Sequence, residues 1–73
     1  MMQVRIARAK GEAELVDGPD GATVVVRVAW ADARLDPAVA FMQGKLKAEG
    51  HTGELFDRLS DGSVASALAR LLS

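Results

Sequence analysis

Asp36 to Leu59 reads D-P-A-V-A-F-M-Q-G-K-L-K-A-E-G-H-T-G-E-L-F-D-R-L, and the fold is decided by how this stretch is punctuated. Asp36-Pro37 is a helix start: an aspartate can accept from the orphan backbone N–H groups of a first turn, and proline at the first helical position loses no hydrogen bond. Gly44 stops that short helix. Lys45-Leu46-Lys47-Ala48-Glu49 then alternates polar and apolar, the period of a half-buried strand. Gly50 and Gly53 bracket a tight turn, after which Glu54-Leu55-Phe56-Asp57-Arg58-Leu59 returns to helical spacing. Helix, strand, turn and helix follow within a few residues, forming a unit with one apolar side.

Upstream, Gln3 to Ala9 alternates imperfectly, with Val4 and Ile6 on one face and Arg5 on the other. Lys10-Gly11 is a turn signal. Glu12 to Val16 alternates again, with Ala13 and Leu15 opposite the two carboxylates, so the pair reads as a hairpin. Asp17-Gly18-Pro19-Asp20-Gly21 is the densest turn cluster. Ala22 to Trp30 is a β-branched run in which Val24, Val26, Val28 and Trp30 share a face. Val25 and Arg27 share the other, and Val25 there suggests a central strand. Ala31 to Leu35 is open between a helical turn and a loop. Downstream, Asp61-Gly62-Ser63 begins a helix in which Val64, Leu68, Leu71 and Leu72 fall on one face. Strands grouped first and helices later predict an α+β domain. It has about four strands in a mostly antiparallel sheet, with helices near Pro37–Met42, Gly53–Leu59 and Val64–Leu72 on one face.

Composition narrows the function classes. At 73 residues the chain is a single domain, residues 1–73, with 49% hydrophobic and 26% charged residues and a net charge of −1. A chain this short buries a limited core. Interspersed charges of both signs give no electrostatic footprint for nucleic acid, and no nucleic-acid partner is expected. No apolar run reaches the roughly 20 residues of a membrane-spanning helix. Met1 to Arg5 carries no apolar leader core, which predicts a cytoplasmic protein. With no cysteine there is neither a disulfide nor a thiolate metal site.

Candidate catalytic groups are sparse. His51, the one histidine, sits in a turn with no companion base or ligand near it, and reads as a solvent-facing residue. None of the serines lies in a Gly-x-Ser-x-Gly elbow. Asp17 with Asp20, and Glu12 with Glu14, lack calcium-loop spacing and read as solvated turn and strand positions. Lys45 and Lys47 share a strand face, where they resist edge-to-edge aggregation; contact with an acyl carboxylate or anionic headgroup is the sharper alternative. No enzyme activity and no cofactor are expected.

Ala40-Phe41-Met42-Gln43-Gly44-Lys45-Leu46-Lys47, followed by an acidic-Gly turn and an amphipathic helix, closely resembles the signature of the sterol carrier protein family. The resemblance covers roughly residues 3 to 59. It implies a non-catalytic module that holds a fatty acid, acyl chain or sterol in an apolar space between sheet and helices. By position it implies lining by Val26, Val28, Trp30, Phe41, Met42, Leu46, Leu55, Phe56 and Leu59, with Gln43 near the ligand's polar end. For each of these the alternative is plain core packing. The family's helix pair and first strand ahead of Gln3–Ala9 have no counterpart here, and in the family sheet that strand lies centrally. Either the remaining strands pair directly, or a second copy supplies the missing edge. The second functional reading is therefore an interaction or dimerisation module, and a two-fold homodimer is expected.

Overall fold

Three strands and three helices carry most of the core in a computed structural model that describes residues 1–73. In chain order the elements are β1 (Met2–Ala7), β2 (Leu15–Asp17), β3 (Val24–Ala29), α1 (Pro37–Met42), β4 (Leu46–Gly50), α2 (Thr52–Ser60) and α3 (Ser63–Leu72). A 3-10 turn over Trp30–Asp32 follows β3. The expected α+β class is what forms: one four-stranded sheet in the order β2-β1-β3-β4, with the helices laid on one face.

The two outer pairings are antiparallel, with Ile6 opposite Leu15 and Val28 opposite Leu46. The central one is parallel: Val4 lies opposite Val26 and Ile6 opposite Val28. Of the two arrangements left open for the sheet, direct pairing is the one adopted. Parallel neighbours need a long crossover, and residues 8–23 supply it by way of β2.

Register sets the faces. Val4, Ile6, Val24, Val26, Val28 and Leu46 point to the helices and are buried there. Ala33, Ala40, Leu55, Val64, Ala67 and Leu68 close over them, making one cluster of 12 buried residues. Three of the six helix-side members are alanines, so the helices sit close to the valine-rich sheet. Each fully buried valine or leucine contributes roughly 1.5–3 kcal/mol. On the other sheet face Arg5 lies opposite Arg27, and Arg27 opposite Lys47. Gln3 is buried on that face because its amide donates to Asp20 (3.1 Å) and accepts from Arg5 (2.8 Å).

The helix ends explain the short α1. Asp36 Oδ1 accepts from the backbone N–H of Ala38 (3.0 Å) and Val39 (3.2 Å), with Pro37 at the first position. At the other end Lys45 N–H donates to Ala40 O (2.8 Å) and Gly44 N–H to Phe41 O (3.1 Å). That paired closure requires a left-handed residue, and Gly44 has φ +74°,. A second glycine is forced at Gly50, φ +108°, where a Cβ would run into the Thr23 carbonyl oxygen.

Two expectations are corrected. The second strand is Leu15–Asp17 rather than Glu12–Val16, because Ala9 O accepts from Glu12 N–H and holds the preceding residues in a turn. β3 ends at Ala29, not Trp30: Ala33 N–H donates to Trp30 O (3.3 Å), and this turn carries Trp30 off the inner face. No helix is long and apolar enough to cross a membrane.

Candidate functional site

The ten residues expected to line a ligand space divide into three groups. Val26, Val28, Leu46 and Leu55 are core, packed against other side chains of the chain. Phe41 and Leu59 are half-buried at the margin of that core. Trp30, Met42, Gln43 and Phe56 are exposed. Gln43 forms the C-cap of α1 and lies outside the sheet–helix interior. The structure does bring Phe41 and Phe56 together, edge to face, with ring centroids 5.9 Å apart.

Space between sheet and helices is scarce where the pocket was expected. A cavity of about 100 Å³ lies where β4 meets α1 and α2, against Val24, Phe41, Ala48, His51 and Leu55. Ligand pockets run to roughly 300–1,000 Å³, so this one does not hold an acyl chain as it stands.

Apolar surface is instead turned outward. Leu35, Val39 and Met42 recur at i, i+4 and i+7 along α1 and its approach, and all three are exposed. Met42 is the most open large apolar side chain, at 78%, and Phe56 on α2 is at 50%. Leu35 also borders a groove of about 340 Å³ between the 33–37 segment and α3, with Pro37, Leu68 and Leu72. A protruding methionine, an apolar ridge and an apolar groove thus share the helix layer.

Titratable groups in this layer are engaged in structure. His51 Nδ1 accepts from Glu54 N–H (3.1 Å) and caps α2. His51 is solvent-facing, as its turn position implies, and the capping role is an addition that the sequence reading does not give, since histidine is not among the usual N-cap residues,. Glu54 accepts from the Thr23 hydroxyl (2.6 Å) and pairs with the Met1 ammonium (3.0 Å), which together hold its carboxyl below the ordinary glutamate range. Asp61 accepts from the Ser63 hydroxyl and backbone N–H, and these lower it likewise. No three His, Cys, Asp or Glu side chains meet in a metal-holding arrangement.

The α1 ridge escaped the sequence reading because Leu35 lies ahead of the helix cap, which hid the Leu35–Val39–Met42 spacing. Comparison with family models, curated proteins and solved structures gives no match for this chain.

Proposed function

We propose that this chain is a non-catalytic interaction module that pairs with a second copy of itself through the helix layer. One observation carries the reading: the interior is filled by the chain's own side chains, while Leu35, Val39, Met42 and Phe56 face outward. A two-fold contact presents the same patch twice, so a projection on one copy must find a recess on the other. This patch offers both, Met42 as projection and the Leu35–Leu68–Leu72 groove as recess. Methionine suits the role because its flexible thioether fills irregular gaps. The patch is small, so the pair belongs to the weak, transient class.

Sedimentation equilibrium tests this. Wild type should show a monomer–dimer equilibrium, and Met42→Glu, which puts a charge at the contact, should be monomeric with unchanged thermal stability. A wild type that stays monomeric up to ~1 mM, where a pairing free energy would be weaker than about −4 kcal/mol, overturns the reading.

A second reading follows from the resemblance to sterol carrier domains: an apolar ligand enters where Phe41, Ala48 and Leu55 meet. The cavity at that place, about 100 Å³, would mark the point of entry but is too small for the ligand as it stands. It requires α1 and α2 to swing away from β4 when the ligand binds.

A further inference from the structure

β1 and β3 run parallel and end side by side, Ala7 opposite Ala29. The next residues are Arg8 and Trp30. The 3-10 turn then returns the chain so that Arg34 also reaches the indole. The Arg8 guanidinium lies 6.0 Å from the ring centroid and that of Arg34 5.5 Å. Trp30 contributes nothing to the core cluster and is 43% exposed. A cleft of about 310 Å³ opens beside it, bounded by Arg8, Ala9, Glu12 and Trp30. Arg8 is paired with Glu12 at 2.8 Å. Arg34 takes part in none of the chain's ion pairs.

A structural tryptophan would be packed, and a merely solubilising arginine would stand apart in water. Here the largest side chain of the protein is held at the rim, and the guanidinium lying over its ring at 5.5 Å has no carboxylate partner. An exposed indole offers a stacking surface to any planar ring. A free guanidinium offers paired donors to a phosphate oxygen. Inorganic phosphate would leave the indole unused, and a neutral aromatic would leave Arg34 unused. We propose that this rim binds a nucleobase that carries a phosphate, the base taking the place of Arg34 on the Trp30 ring and the displaced guanidinium turning to hold the phosphate. Arg8 joins only when it leaves Glu12, so Glu12 works against binding. The chain's net charge of −1 does not oppose this, since the contact depends on these groups and not on a chain-wide field. Arg34 also lines the groove between the 33–37 segment and α3, so binding is measured on the Met42→Glu variant as well, where self-association is removed and the rim is intact.

Trp30 is the sole tryptophan and there is no tyrosine, so intrinsic emission reports this site alone. The experiment titrates the protein with AMP, adenosine, inorganic phosphate and a hexadeoxyadenylate. AMP, the hexamer or both should change the emission saturably, with adenosine and phosphate each about tenfold weaker or more. Arg34→Ala should weaken AMP binding about tenfold at an unchanged melting temperature, and Glu12→Gln should strengthen it. A hexamer that binds much more tightly than AMP per nucleotide assigns the site to single strands; equal affinity assigns it to free nucleotides. The proposal is overturned if neither AMP nor the hexamer saturates, if adenosine matches AMP, or if Arg34→Ala binds as wild type does.

Discussion

Truncating Leu55 distinguishes a filled interior from a hollow one. Leu55 is 3% exposed, sits on the inner side of α2, and borders the 100 Å³ cavity with Val24, Phe41 and Ala48. Leu55→Ala removes the equivalent of three buried carbons, about 2.4 kcal/mol at ~0.8 kcal/mol each. It also enlarges a cavity that the neighbouring strand backbone cannot close, and leucine-to-alanine changes of this kind cost about 2.7–5 kcal/mol in all. We expect ~3–4 kcal/mol. A domain of this length has roughly 4–11 kcal/mol in total at 0.05–0.15 kcal/mol per residue. The variant thus forfeits a large share, and at roughly 4–8 °C per kcal/mol its melting temperature falls by at least ~12 °C. Thermal and urea denaturation followed by circular dichroism, with an unchanged urea slope, measures this directly. A loss under ~1 kcal/mol would mean that Leu55 faces space already open, and the argument for a closed core would fail.

Other expectations follow from single contacts. Gly50→Ala should destabilise by ~2 kcal/mol or more, from positive φ and from the collision with Thr23 O, and a neutral effect in a denaturant melt would contradict the β4 geometry,. Glu54 and Asp61 are both depressed in the folded state. Their stabilisation is therefore complete above the unfolded value near 4.3 for glutamate and 3.9 for aspartate, and is lost as pH falls through the lower folded values. Stability should be level above about pH 5 and decline below ~4. Thr23→Val should flatten part of that decline, and stability that rises on acidification would reverse the sign argued here. A fluorescent fatty acid should not saturate wild type at micromolar concentration. Saturable binding whose selectivity changes in Gln43→Leu would favour the lipid reading, in which Gln43 meets the ligand's polar end.

Much of the architecture can be read from residue spacing alone. Val24-Val26-Val28 marks a strand with one buried face whichever way its neighbours run, and Val25 on the opposite face points to its central position. Asp36-Pro37, Gly44 and Asp61-Gly62-Ser63 name helix ends through backbone hydrogen bonding, which is local and therefore visible in sequence. The parallel pairing of β1 with β3 is not local; it depends on which strands find each other once β2 has folded back. Trp30 continues the alternation on paper, yet a single 3-10 hydrogen bond from Ala33 moves it to the rim. The candidate site suffered most from this limit. Phe41, Leu46 and Leu55 were recognisable as apolar and inward, but whether they line a space or fill it depends on how closely Ala33, Ala40 and Ala67 let the helices approach.

Dilution followed by nuclear magnetic resonance tests the central claim most directly, since it reads the contact residue by residue. Between millimolar and low micromolar protein, the amide and methyl signals of Leu35, Val39, Met42, Phe56, Leu68 and Leu72 should move together along one binding curve. Signals of Arg27 and Lys47 on the open sheet face should stay fixed. Shifts confined to β2 and β4, or none at any residue, would contradict pairing through the helix layer.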